Sequence, residues 1–397
     1  MNAPATLDGV RDARAHPCIT EDHEMLRDTI RRFIAERVLP FADAWEEQGF
    51  IPREVLRAMG ELGLFGIRYP EQYGGSALDT LSTVVLAEEL GRSTYGGFAV
   101  TVLVHTDMAA PHLVHAGTAA QKARYLPDII AGKKIAAVAM TEADAGSDLA
   151  SMRTTARRES TAAGDVYVLN GSKMYITNGV HGDIYCVAAK TGAPGRNHQV
   201  SMFIVEKGTP GFRVARPLKK HGWLSSDTAE LVFEDCRIPA ENLLGEENKG
   251  FYALMKNLQN ERIVLGAQSM GEAARAIEIT LDWVTQRKAF GATLWDKQTI
   301  RHRLALLSAR VEAVRALIIN TAWRDAQGQS VTKEVSMIKA LAGELVNEVM
   351  YTCLQFHGGA GYIRESAIER MARDARVQSI GGGATEVMLE EIAKRMV

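Results

Sequence analysis

The hydrophobic period of this chain changes twice, and that change constrains its fold more than any other feature. From Thr20, an N-cap candidate, Leu26, Ile30, Phe33, Ile34 and Leu39 follow helical spacing up to Pro40. Val55, Leu56, Met59 and Leu62 mark a second helix ending at Gly63, and Asp79 caps a third through Val84, Val85 and Leu90 to Gly91. Stretches 98–115 and 119–131 continue the pattern. Between about 135 and 242 the period shortens. Asp165–Asn170, Asp183–Ala189, Ser201–Glu206 and Glu230–Phe233 are short β-branched or aromatic runs separated by Asn-Gly and Pro-Gly turns, which read as a compact β domain. Long helical stripes return from Gly250: Ile300, Leu304, Leu307, Val311, Val314, Ile318, then Val335, Ile338, Leu341, Leu345, Val349. These predict an antiparallel bundle. The expected regions are 1–134, 135–242 and 243–397, as befits 397 residues, more than one core usually supports.

Several function classes are excluded by composition. A net charge of −2 offers no nucleic-acid groove or polybasic membrane patch. The longest apolar runs, such as Phe98–Val104, are too short to span a bilayer. Cys18, Cys186, Cys236 and Cys353 are far apart with no CxxC pair, which fits a reducing, cytoplasmic setting. The N-terminal MNAPATLDGVRDARAHP has no apolar signal core and reads as a frayed leader. His112 and His115, with His105 nearby, lack a third ligand or an HExxH context, so no metal is expected. No GxGxxG stands between a strand and a helix, so a Rossmann site is unsupported.

Two segments carry the chemistry. Met140–Asp148 (MTEADAGSD) strings hydroxyls and carboxylates through a Gly-containing turn, and Lys173–Gly179 (KMYITNG) is strand-like and stops at Asn-Gly. Either alone is an ordinary polar turn or edge strand. Together, in this three-region chain, they resemble the flavin-binding middle of the acyl-CoA dehydrogenases. The resemblance spans essentially the whole chain and implies a multidomain α+β fold: a helical N-terminal domain, a small middle β-barrel and a C-terminal helical bundle. It further implies FAD, with Met140, Thr141, Gly146, Ser147, Tyr175 and Thr177 lining flavin and substrate. Thr177 would face the flavin N5 side, and Ser147 would touch the CoA arm. The chain departs from the family at Ala143, where Pro is usual, and at Tyr175, often Trp. Arg287-Lys288-Ala289-Phe290-Gly291 and Gln298 resemble the family's RKxFG segment and its following Gln. There Arg meets the flavin pyrophosphate, usually of a partner subunit, an anion suited to a planar guanidinium. Gln355–Gly359 (QFHGG) matches the segment at the adenosine end. Thr385 and Glu386 match positions near the cofactor's phosphate end, and Ala384 departs from the usual Thr.

Dehydrogenating an acyl thioester needs a base for the α proton, a hydride acceptor and donors to the carbonyl oxygen. Most of the family carries a Glu in the loop before the last helix, where this chain has Gly382. A second carboxylate stands on a helical stripe of Phe251, Leu254, Leu258 and Leu265: Glu261, with Arg262 beside it. A carboxylate on an apolar face is costly unless paired or functional. From the helix alone, a structural Glu–Arg pair or a face rotated slightly outward is the commoner reading. Asn260-Glu261-Arg262 with Gly382 resembles the isovaleryl-CoA and long-chain acyl-CoA dehydrogenase subgroup, whose base precedes an Arg on this helix, and that implies Glu261 as the base. Ser147, Leu258, Arg262, Gly382 and Gly383 would then line the substrate, with the Gly382 N–H polarising the thioester carbonyl. The implied partners are an acyl-CoA, an electron-transfer flavoprotein and further copies in a homotetramer. An oxidase or monooxygenase on the same scaffold, or a flavin-lacking paralogue, is the alternative. The sequence does not specify the acyl chain.

Overall fold

The computed structural model describes residues 16–162, 164–192 and 199–397. Nearly all of the N-terminal leader lies outside them. So do the side chains of 251–253, 255 and 256, and with them the expected inward position of Phe251.

The N-terminal region is built from α1 (Glu21–Phe33), α2 (Ala42–Gln48), α3 (Arg53–Glu61), α4 (Thr80–Arg92), α5 (Gly96–Leu103), α6 (Ala110–Ala116) and α7 (Ala119–Ile130). Asp79 Oδ1 accepts from the Ser82 N–H at 3.0 Å, so that expected cap is engaged, whereas at Thr20 it is the residue's own N–H that donates, to His23 Nδ1 at 3.1 Å. Two π-helical turns, Ile34–Val38 and Val104–Ala109, interrupt the regular helix. Leu39 and Leu62 extend the apolar spacing in sequence but are exposed, because each stands past the last regular turn.

The middle region is one eight-stranded sheet: β1 (Ala136–Ala139), β2 (Thr155–Thr161), β3 (Gly164–Thr177), β4 (Ile184–Lys190), β5 (Val200–Glu206), β6 (Phe212–Pro217), β7 (Thr228–Pro239) and β8 (Leu243–Leu244). Pairing runs β6-β7-β3-β2-β4-β5-β8, with β1 parallel to β4. The path has two ends, so among the described residues this is an open sheet where a closed barrel was expected. The run DVYVLN and the KMYIT of KMYITNG belong to the single strand β3, and Asn178-Gly179 begin the turn after it. Its register against β7 shifts between Leu169 and Gly171 and again between Lys173 and Ile176. The second irregularity puts Tyr175 at φ 62° with its ring 65% exposed, the re-aiming that bulges produce.

The C-terminal region comprises α8 (Gly250–Gln286), α9 (Gln298–Ala326), α10 (Thr332–His357), α11 (Ala367–Ala375) and α12 (Thr385–Ala393). The stripe on α9 is buried from Leu304 to Ile318. On α10, Leu341 is half exposed and Ala342 takes the inward position, since Val335, Ile338, Ala342, Leu345 and Val349 keep a truer helical period.

One core unites the terminal regions, holding Ile30, Val85 and Leu90 with Met270, Ile318 and Ile338. Helices α4 and α8 cross closely because glycines face each backbone. A side chain at Gly91 would strike the Gln268 carbonyl, and one at Gly271 the Glu88 carbonyl. A buried ionic network crosses the same junction. Arg27 Nη1 donates to Glu88 Oε2 at 3.0 Å and to Glu89 Oε1 at 2.6 Å, while Arg315 Nε donates to Glu88 Oε1 at 2.6 Å. Burial would raise the Glu88 pKa, but the two guanidiniums hold it down at about 2.

Candidate active site

The turn expected to meet the flavin is fastened to β3 from behind. Glu142 and Ala145 exchange backbone hydrogen bonds of 3.1 and 3.2 Å, closing the turn, and the Met174 N–H donates to the Thr141 carbonyl at 2.8 Å. Lys173, fully buried, donates through Nζ to Glu142 Oε1 at 2.7 Å and to the Met140 carbonyl at 3.0 Å. Glu142 also accepts from the N–H groups of Arg153 (2.6 Å) and Thr154 (3.0 Å). Burial pushes the Glu142 pKa up, yet Lys173 and these donors bring it below the ordinary value. Sequence reasoning passed over this pair; the signal was a Lys inside an otherwise uncharged strand run. The turn thus stands beside the exposed Tyr175, with Met140, Thr141 and Thr177 half-buried and Gly146 and Ser147 exposed. Among the described residues, the side-chain hydroxyls of Thr141, Ser147, Tyr175 and Thr177 form no hydrogen bond within the protein. A flat exposed ring bordered by free hydroxyls fits a planar tricyclic group with polar edges, which is what an isoalloxazine presents.

Helix α8 starts against this turn. Leu254 of α8 is buried in the same apolar cluster against which Met140 and Leu149 pack. Leu258 follows, half-buried, and Glu261 next, only 4% exposed. Burial lifts the Glu261 carboxyl to about 7, against smaller opposing effects from an Asn257 hydrogen bond and the Arg262 charge. The expected Glu–Arg pair does not form: no Glu261–Arg262 contact lies within ion-pair distance among the described residues. Consecutive residues point about 100° apart around a helix, and Arg262 turns toward the last loop. Arg262 is 9% exposed, its Nε is buried without a partner, and burial lowers its pKa.

The last loop explains why no carboxylate stands at 382. Gly382 has φ 69°, and a side chain there would run into Leu265, one turn beyond Glu261. Gly383 follows at φ 116° near Arg262. From α10, buried Lys339 pins the loop, donating to the Gln378 carbonyl at 2.6 Å and the Gly383 carbonyl at 3.1 Å. Burial and then the Arg262 charge lower Lys339 to about 8. The N–H groups of Gly382 and Gly383 have no protein acceptor among the described residues, so both remain available to a ligand oxygen. Thr385 does not take up the role of the missing Thr at 384: its hydroxyl donates to Glu344 Oε1 at 2.9 Å. Glu386 is exposed.

The remaining expected residues assemble elsewhere. Arg287 and Phe290 flank a two-strand hairpin, Lys288–Ala289 against Ala292–Thr293, directly after α8. Trp283 stacks on His357 with centroids 5.3 Å apart, and its Nε1 donates to the Phe356 carbonyl at 3.2 Å, which brings this hairpin beside Gln355–Gly359. Arg287, Gln298, Gln355 and Gly359 are exposed, and Phe290 is 98% exposed. Along the axis of α8, Arg287 lies roughly 39 Å beyond Glu261 at 1.5 Å per residue. The two groups therefore cannot touch the same ring system within one chain. Of the histidines singled out earlier, His105 is held on both ring nitrogens: Nε2 lies 3.0 Å from the Ile129 carbonyl and Nδ1 accepts from the Ala136 N–H at 2.9 Å. Burial lowers both His105 and His112 to about 4, so both are neutral at pH 7.

Three family profiles match the chain in order: the acyl-CoA dehydrogenase N-terminal domain over residues 20–133, the middle domain over 137–236 and the C-terminal domain over 248–397. The chain belongs to the acyl-CoA dehydrogenase family. It is 42% identical to the mitochondrial long-chain specific acyl-CoA dehydrogenase of Mus musculus over 95% of its own length and 87% of that protein. It is 37% identical to the mitochondrial isovaleryl-CoA dehydrogenase of Pongo abelii over 93% and 87%. Among solved structures it resembles an acyl-CoA dehydrogenase complexed with FAD from Bacillus anthracis, with a TM-score of 0.90 and 34% identity, over 95% of this chain and 67% of that one.

Proposed function

We propose that this protein removes hydrogen from the α,β bond of a saturated acyl-CoA to give the trans-2-enoyl-CoA, with Glu261 as the base. The observation that carries the assignment is a carboxyl group 4% exposed, raised to about 7, one helical turn from Leu265, against which the loop with two free N–H donors lies. A base tuned near the working pH is ionised often enough to act and basic enough to receive the proton. As the α carbon loses that proton, charge develops on the thioester oxygen. The Gly382 and Gly383 N–H groups, beside the Arg262 guanidinium, are the donors this chain offers it. At 4% exposure, Glu261 is shielded from water. FAD, held by Met140, Thr141, Gly146, Ser147, Tyr175 and Thr177, would supply the hydride acceptor.

Arg287 stands at the end of α8 remote from Glu261, where the hairpin carrying Phe290 lies beside Gln355 and Gly359 and Gln298 opens the next helix, too far to serve the same flavin. Their exposure supports a homotetramer in which each copy lends these residues to a neighbour's cofactor. An electron-transfer flavoprotein is the expected electron acceptor, and four unpaired cysteines support a reducing, cytoplasmic setting. The test is anaerobic: the holoprotein bleaches when mixed with acyl-CoA, and Glu261→Gln keeps its flavin but does not bleach. Normal bleaching by that variant would remove Glu261 from the mechanism. A panel from isovaleryl- to palmitoyl-CoA then identifies the acyl group.

A further inference from the structure

Among the described residues, Glu261 receives one hydrogen bond, and its source is Asn257, one turn earlier on α8. Asn257 is 2% exposed. Its Nδ2 donates to Glu261 Oε1 at 3.1 Å, to the Met108 carbonyl at 2.9 Å and, more weakly, to the Asp107 carbonyl at 3.4 Å. These carbonyls belong to the π-helical turn Val104–Ala109, and the sequence explains why the Asp107 oxygen is open. In a regular helix its donor would be the N–H of residue 111, which is Pro111 and has none. A second asparagine on the same face, Asn260, uses the same oxygen, its Nδ2 donating to the Asp107 carbonyl at 2.9 Å while its Oδ1 accepts from Arg68 Nη1 at 2.6 Å.

The amide of Asn257 can face only one way. Rotating it by half a turn would set Oδ1 against backbone carbonyls and a carboxylate, all acceptors. With one N–H committed to the π turn, the other is aimed at Glu261. Oδ1 remains buried without a partner, as does Arg262 Nε on the same stretch of α8, and each is a cost the fold carries there.

We propose that Asn257 is a positioning residue for the base: anchored to the π turn, it tethers Glu261 Oε1 and leaves Oε2 as the oxygen that receives the substrate's α proton. The proposal rests on Glu261 being the base. The tether survives proton uptake, because a neutral carboxyl protonated on Oε2 still accepts at Oε1. It also favours the ionised form, since a hydrogen bond to a carboxylate is stronger than one to a carboxylic acid. The other charged groups around Glu261 are Arg262 on its own helix, Asp107 on the π turn, which burial raises to about 6, and Lys339 of α10 beside Gly382.

The test is Asn257→Leu, close in size and without the amide, in the FAD-loaded enzyme. We expect kcat to fall about tenfold with KM changed less than about twofold, and the acidic limb of the kcat/KM profile to move up by about one pH unit. The deuterium isotope effect with α-deuterated acyl-CoA should rise as proton transfer becomes limiting, a change that loosened packing alone would not produce. An unchanged acidic limb and isotope effect would overturn the proposal. If Asn257→Leu does not retain flavin, Asn257→Ser, too short to span both acceptors, is read by the same profile and decides equally. Glu261→Gln separates the two assignments. Bleaching lost in Glu261→Gln with a silent Asn257 variant refutes the tether alone, whereas normal bleaching in Glu261→Gln refutes the base itself.

Discussion

A carboxyl kept buried, as the proposed base is, destabilises the fold at high pH, and the size of that effect follows from its titration. The Glu261 carboxyl moves from an ordinary 4.5 to about 7 on folding. Between those values the folded chain holds a proton that the unfolded chain has released, so stability falls as pH rises through this window and is level above it. At pH 8 the loss amounts to about 3 kcal/mol, and at pH 5 to less than about 1 kcal/mol. Glu261→Gln fills the same space without a charge and escapes the loss. With an unfolding entropy of about 2.1 cal/mol/K per residue, a 397-residue chain melting as one unit has a total of roughly 0.8 kcal/mol/K. The variant should therefore melt about 4 °C above wild type at pH 8 and about 1 °C above it at pH 5. Differential scanning calorimetry of both holoproteins across this range measures the difference. A gap independent of pH, or a variant less stable than wild type at pH 8, would refute the claim that burial sets the base's proton affinity.

Two further outcomes test the supports of the site. Lys173→Met leaves Glu142 buried without its cation, which should cost about 3–5 kcal/mol and strip flavin on gel filtration, while adding Glu142→Gln recovers much of both. Flavin retention in the single variant would show that the pair does not hold the Met140–Asp148 turn. Gly382→Ala combines left-handed strain with a methyl group pressed on Leu265, about 2–4 kcal/mol in all, and should raise KM for acyl-CoA. Gly381→Ala, where a side chain finds ordinary contact distances, should stay within about 0.5 kcal/mol of wild type by thermal melting.

Local pattern was sufficient for much of this molecule. Helices and strands were legible because burial on one face imposes a period of 3.6 or 2, and the cap at Asp79 because its side chain acts within three residues. Glu261 was legible as a carboxylate on the stripe of Leu254, Leu258 and Leu265. What the helix could not show was the direction of Arg262, since that depends on a loop more than 100 residues later approaching the same face. Lys339, the Lys173–Glu142 pair and the Asn257 tether were missed for the same reason: an isolated Lys or Asn gives no sign of which distant carbonyl it will meet. The open sheet, with β6 and β8 at its ends, likewise depends on pairings between strands far apart in sequence. Sequence alone determined which segments would bury a face and which residue types were at hand for the chemistry. Tertiary packing decided which of those groups lost water and gained a partner, and with that the proton affinity of the base.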